Sequence, residues 1–410
     1  MKHMNMNLIS VTEALEAIRE HVVRLEPRSV DLHDAAGSVL AEDVSADVDI
    51  PAFPQSSMDG YAIFYDGWKA HGDLELSGMS AAGPSAEQMI HSHQALRIFT
   101  GAAVPEGADT VAIQERSIVE GGKLCIMDDN LGRGDNVRPR GAEMKAGDLA
   151  LPAGSLLTPA AIGFLAGLGK TRIRIHPDPR VALIVTGNEL IAPGQPLRHG
   201  QVYESNSHTL HAAFRELGVQ KLKEFHAPDD LHALTGVLEE ALGSADLVLL
   251  TGGVSVGDFD FVLRAASACG IQQVFHKIRQ KPGKPIYFGK KGQVPVFGLP
   301  GNPASVLSCF YAYVRPAWEW MTGKPSMLPK RMARMGQSHR KPSGLTHFLK
   351  GRLEGDTVQL LHAQESFRLS SFARANCLII LEESVTEVAA GEEVEVLMVG
   401  MMHDRKNPAV

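Results

Sequence analysis

The stretch ADLVLLTGGVSVGDFD, Ala245–Asp260, decides the fold. ADLVLL is an apolar run of strand length, and it ends in a turn carrying Gly252, Gly253, Ser255, Gly257, Asp258 and Asp260. No Lys-Ser/Thr follows to complete a P-loop. Glycines at such a point let backbone approach a ligand closely, and the N–H groups that open the next helix can face an anion. An ordinary β-α turn would use the same residues. GVSVG also matches the G-x-S-x-G nucleophile elbow, with His276, His339, His347 and His362 downstream as candidate bases. An elbow serine, however, is followed at once by helix, whereas Gly257-Asp258 intervene here. A lysine cluster also follows, for which ester hydrolysis has no use, so a phosphate-bearing ligand is the preferred reading.

Outward from this stretch, the segments RVALIVTGNEL, VQKLKEF, DLVLLTGG, KPIYFG and VPVFGLPG read as strands. Between them the pattern predicts helices over 206–217, 231–242 and 260–269. Alternation of this kind implies a doubly wound, mostly parallel sheet with helices on both faces. Ligands of such sheets bind at the carboxyl ends of the strands, so the chemistry is expected in TGNEL, TGGVSVGD and GLPGNPAS.

The remainder of the 410 residues exceeds one ordinary core and predicts a multidomain α/β protein. Ser10 and Glu13 form a capping box ahead of Leu15, Ile18 and Val22 at helical spacing. A second short helix fits 32–44, and a third opens at Thr158-Pro159. From Gly60 to about Leu151 short β-type runs broken by glycine suggest an antiparallel β module inserted into a helical region. Beyond the Pro/Gly-rich stretch MTGKPSMLPK, further short β runs suggest a C-terminal β-barrel. The expected division is 7–47 with 147–177 as a bipartite N-terminal domain, 48–146 as the inserted β domain, 178–328 as the α/β domain and 329–410 as the barrel.

A formal charge of −7 gives no global attraction to nucleic acid or anionic membrane. The N-terminus lacks a secretory h-region, and no apolar run has membrane-spanning length, so a cytoplasmic protein is expected. Cys125, Cys269, Cys309 and Cys377 are widely spaced and read as free, mostly buried thiols. The 17 histidines contain no H-E-x-x-H, which argues against zinc.

In GLPGNPAS, Pro300 and Pro303 fix φ on both sides of Gly301-Asn302, so the loop is rigid before anything binds. It also suits a helix start with Asn302 as cap. KIRQKPGKP carries Lys277, Arg279, Lys281 and Lys284; in an extended segment the first three share one face and form a local well for an oxyanion. Glu189, Asp229, Asp230, Asp258 and Asp260 sit at the same expected rim. Carboxylates beside phosphate-binding lysines are what Mg²⁺ requires, although helix capping by Asp229 or Asp258 is the plainer role.

Taken together, PAFPQSSMDGYAI, RIFTGAAVPEGADTVAIQE, NVRPRGAEMKAGD, VALIVTGNEL, LTGGVSVGDFDF, KPGKP, GLPGNPAS and SSFARANCLIILE resemble the molybdopterin molybdenumtransferase family, of the MoeA and gephyrin E-domain type. The resemblance implies a homodimer whose active cleft combines the α/β and C-terminal domains of one subunit with the N-terminal region of the other. It implies adenylylated molybdopterin and molybdate as substrates, Mg²⁺ as cofactor, AMP as leaving group, and contact with the molybdopterin adenylyltransferase. Residue by residue it assigns catalytic roles to Asp59, Thr100, Glu189, Asp229, Asp260, Lys277 and Lys281, with Glu189 and Asp260 as metal ligands. Substrate contacts fall to Gly252, Gly253, Ser255, Gly257, Pro300, Gly301, Asn302, Pro303 and Ser371. By themselves Asp59 and Thr100 read as turn residues. The chain departs from the family at Asn188 and Glu143, where Asp is usual, and at Leu345 and Lys350, where arginines are common; these bear on metal and oxyanion binding. A non-catalytic scaffold and an adenylyltransferase are the competing readings. Retention of the charged residues argues against the first, and the extra terminal domains against the second.

Overall fold

A computed structural model describes residues 8–83, 88–253, 261–326 and 329–399. The chain forms two compact units: Met1–Arg28, Gly37–Val39 and Ile175–Val410 make one, and Ser29–Ala36 with Leu40–Arg174 the other.

The first unit is built on a six-stranded sheet in the order Leu222–Ala227, Val181–Thr186, Leu247–Thr251, Val294–Leu299, Tyr287–Lys291, Gln272–His276. The first four strands are parallel, and only Tyr287–Lys291 runs against both neighbours. Val181–Thr186 and Leu247–Thr251 are buried along their whole length, as a sheet covered on both faces demands. The period-two alternation divides their side chains. Val181, Leu183 and Val185 join a core with Leu210, Phe214, Phe310 and Trp318, while Ala182 and Ile184 pack with Leu234, Leu238, Val262 and Ala265.

The helices follow the expected positions closely, at Asn206–Glu216, Leu231–Ser244 and Phe261–Ala268. The first helix, Val11–His21, has the full capping box: the Glu13 N–H donates to Ser10 Oγ at 3.1 Å and the Ser10 N–H to Glu13 Oε2 at 2.6 Å. Ala14, Ile18 and Val22 enter the same core as the sheet. The helical stretch after GLPGN runs Pro303–Cys309, passes through a π-turn at Phe310–Val314 and resumes at Arg315–Thr322. Pro316 explains the interruption, since its ring cannot accept regular α geometry behind it.

The expected barrel forms at the C-terminal end of this unit. Thr346–Glu354, Thr357–Leu360, Lys330–Met335, Glu393–Met398 and Cys377–Leu381 pair in that order, and the last pairs back with the first. Val358, Cys377, Ile379 and Val396 fill its interior.

The second unit holds a six-stranded sheet, antiparallel except where Leu74–Ser80 runs parallel to Gln94–Ile98. Ile63, Ala95 and Ala112 pack on one face, Ala62, Ile98 and Val111 on the other. The β module also contains a helix, Tyr65–His71, which the reading of short β-type runs did not include. The helix expected over 32–44 does not form. One 3-10 turn, Leu32–Asp34, is followed by Gly37 at φ 75° and by the short strands Val39–Leu40 and Val44–Ser45. The second of these pairs with Leu149–Leu151, a partner that local periodicity cannot reveal. The cysteines are free, as expected. No helix of the described residues is long and apolar enough to cross a membrane.

Candidate functional site

The four parallel strands end in the turns that follow Thr186, Ala227, Thr251 and Leu299, and a cleft of about 660 Å³ opens among them. Glu189, Asp229, Gly252, Gly253, Pro300, Gly301, Asn302 and Pro303, all singled out by sequence, line it. Gly252 shows why glycine is needed: at φ +87° a Cβ would lie 2.2 Å from the Thr186 carbonyl oxygen. Two strand ends therefore meet backbone to backbone, which leaves the space in front of them open.

Asp229 is the hinge of the TGNEL turn. Its carboxylate accepts from Thr186 Oγ1 at 2.7 Å and from the Asn188 N–H at 3.1 Å, while its own N–H donates to Asn188 Oδ1 at 3.2 Å. The amide at 188 thus completes a reciprocal lock without placing a second carboxylate against Asp229. The helix capping that the sequence offered to Asp229 belongs here to Asp230, whose Oδ1 accepts from the Ala233 N–H at 2.9 Å, and Asp258 lies outside the described residues. Glu189 is exposed at the rim of the cleft.

Several lining residues escaped the sequence reading: Tyr203, Glu204, Asn206, Pro285 and Phe367. Buried Glu204 accepts from the Ser207 N–H at 2.9 Å and Oγ at 2.7 Å, and Asn206 Nδ2 donates to the Gly301 carbonyl at 2.9 Å, tying two turns together. The string ESNS, with its capping residues, was the available signal. For Phe367 there was none.

Other expected residues lie elsewhere. Ser255, Gly257 and Asp260 fall outside the described residues. Lys277, Lys281 and Ser371 do not line the cleft, although Pro285 brings the KPGKP segment to it. The alternation expected for Lys277, Arg279 and Lys281 breaks at Lys277, which has φ 77°. Arg279 is not available to an oxyanion: its Nε donates to Glu383 at 2.8 Å, and further contacts engage Glu13 and the Leu8 carbonyl. Lys281 is exposed and pairs across strands with His347. The Ser371 hydroxyl is buried and donates to the Ala363 carbonyl at 2.8 Å. Lys350, buried with its pKa lowered by desolvation, spends its ammonium on the carbonyls of Ala363, Glu365 and Arg368 at 2.7, 3.3 and 3.0 Å. At this position, then, the lysine pins a loop. Asp59 and Thr100 lie in the second unit and bind each other: the Thr100 N–H and hydroxyl both donate to Asp59 Oδ1 at 2.8 Å and hold its carboxyl below the usual range. Glu143 lines a separate shallow pocket there.

Among the described residues no three His, Cys, Asp or Glu side chains converge to cage a metal. A hard cation needs less: Mg²⁺ is held by one or two carboxylates with phosphate oxygens and water. The exposed Glu189 carboxylate beside the Asp229 turn suits that mode.

Three family regions match the chain in order: the MoeA N-terminal region (domain I and II) at 9–169, the "Probable molybdopterin binding domain" at 182–320, and the MoeA C-terminal region (domain IV) at 332–399. The molybdopterin molybdenumtransferase of Haemophilus influenzae is 34% identical over 374 residues, covering 90% of this chain and 92% of that protein. The chain belongs to the molybdopterin molybdenumtransferase family. A relative of the same name from Staphylococcus epidermidis is 32% identical over 400 residues, covering 95% of each chain. The crystal structure of the molybdopterin biosynthesis MoeA protein from Pyrococcus horikosii superposes with a TM-score of 0.83 at 28% identity, covering 96% of this chain and 99% of that one. Family membership makes the protein an enzyme of the transferase class and agrees with the multidomain fold expected from sequence.

Proposed function

We propose that the protein transfers molybdenum from molybdate to molybdopterin in molybdenum cofactor biosynthesis, taking adenylylated molybdopterin as substrate and releasing AMP. The observation that carries this reading is the convergence of four strand-end turns and the carboxylates of Glu189, Asp229 and Glu204 on one cleft. Turns held by Pro300, Pro303, Gly252 and the Asp229 lock are ordered before the ligand arrives, so little of the binding energy is lost in arranging them. Backbone N–H groups at those turns suit phosphate, and Lys277 with Lys281 would draw the oxyanion toward the site. Glu189, with Asp260, would hold Mg²⁺, which would neutralise charge on the phosphoanhydride as it breaks. Asp59 and Thr100 would complete the site in a partner subunit, making the working unit a homodimer. The four-domain division expected from sequence and a cytoplasmic location accompany this reading.

The test is incubation of purified protein with adenylylated molybdopterin, Mg²⁺ and molybdate, following AMP. AMP is expected only with all three present. The Asp260→Ala and Lys281→Ala variants should remain folded and lose molybdenum insertion; unimpaired insertion in both would dismiss the site assignment.

A further inference from the structure

Two aromatic rings stand at the mouth of the cleft, and neither is needed to shape its turns. Tyr203 is 46% exposed and Phe367 61% exposed, and both line the cavity. Each is held in place. The Tyr203 hydroxyl donates to the Gln195 carbonyl at 2.9 Å, and its strand, Val202–Tyr203, pairs with Leu190–Ile191. Phe367 follows Ser366, whose hydroxyl accepts from Asn302 Nδ2 at 2.9 Å and whose carbonyl accepts the Ala304 N–H at 3.1 Å. The Lys350 ammonium grips the carbonyls on either side of Phe367, at Glu365 and Arg368. Arg368 stacks on the Phe367 ring, its guanidinium carbon 5.4 Å from the centroid, and the ring keeps most of its surface open. A third feature lines the same cleft. Asn206 is 8% exposed, and with Nδ2 bonded to Gly301 its Oδ1 is buried without a hydrogen-bond partner among the described residues. A buried acceptor without a partner, in a residue that lines a cleft, is the counterpart of a donor on a ligand.

We propose that Tyr203 and Phe367 hold the planar fused heterocycle of the substrate by ring stacking, with Asn206 Oδ1 accepting a hydrogen bond from that ring's edge. The proposal rests on the cleft being the substrate site. Open aromatic faces beside a single acceptor select a flat bicyclic heteroaromatic carrying N–H donors. The adenine and the pterin of the substrate share that chemistry, and binding measurements separate them.

Calorimetric titration of the full-length protein with AMP and, separately, with 6-hydroxymethylpterin supplies the test, in wild type and in the Phe367→Ala, Phe367→Trp and Tyr203→Leu variants. Phe367→Ala should bind one of the two rings about tenfold more weakly, the loss expected for one stacked aromatic, and Phe367→Trp should restore it. With adenylylated molybdopterin the same alanine variant should raise KM while kcat stays close to wild type, because an uninvolved reactive centre is left intact. Phe367 is exposed, so its thermal unfolding midpoint should not move. The ring whose affinity falls is the one stacked. Wild-type affinities for both rings in Phe367→Ala and Tyr203→Leu would overturn the proposal, as would a wild-type protein that releases AMP in turnover yet binds neither ring. A wild type that binds neither ring and releases no AMP would overturn the reading of the cleft as well.

Discussion

His276 is 4% exposed and neither ring nitrogen has a hydrogen-bond partner among the described residues. Burial, with Lys277 adding to it, pushes its pKa down to about 4. His347 is likewise pushed down to about 4 by burial and then by Lys341, Lys281 and His339. Both imidazoles are neutral in folded and unfolded chains above about pH 6.5, so their contribution to stability is full there. As pH falls from 6.5 toward 4 the unfolded chain takes up protons that the folded chain refuses, and stability is lost. At pH 5 the loss is about 2 kcal/mol for each histidine. The urea midpoint should therefore fall between pH 7 and pH 5, and by less in His276→Gln and His347→Gln; an equal fall in both variants would mean that these side chains titrate normally. At this scale the sequence named the reactive residue types but not which were already engaged. Arg279, Lys350 and Ser371 all read as anion or substrate ligands or their neighbours, yet each donates to groups within the protein. Donor use depends on segments far away in the chain, and no local motif records it.

The helices were legible because their ends are written locally. The Ser10 capping box, the Thr158-Pro159 start and the Asn302-Pro303 start all appear where the sequence puts them. Asp229 and Asp230 were harder to separate. Asp230 caps Leu231–Ser244, whereas Asp229 turns back to hold Thr186 and Asn188. Asp230→Ala should cost about 1 kcal/mol of stability in denaturant titration and leave turnover intact. Asp229→Ala should instead lower the rate of AMP release about 10- to 100-fold, as loss of a support behind functional groups does. Equal kinetic damage from both would remove the distinction. The absent helix at 32–44 shows the limit of reading by periodicity: a tertiary strand partner, Leu149–Leu151, outbid a weak local pattern.

For the whole molecule, the proposed composite dimer site predicts complementation. Asp59→Ala and Lys281→Ala homodimers should each be inactive, and mixing them under exchange should restore about a quarter of wild-type AMP release, because a two-fold heterodimer carries one intact site. No recovery after demonstrated exchange would place both residues in one subunit's site or outside it. Composition and motif order alone determined the family, the doubly wound sheet, the closing barrel and the three glycine- and proline-bearing turns, since strand length, alternation and turn chemistry are properties of short segments. Tertiary structure decided which of the charged residues are already spent, how Asp229 differs from Asp230, and that Tyr203, Asn206 and Phe367 line one cleft. These depend on register and packing between residues distant in sequence, and such contacts exist only once the chain has folded.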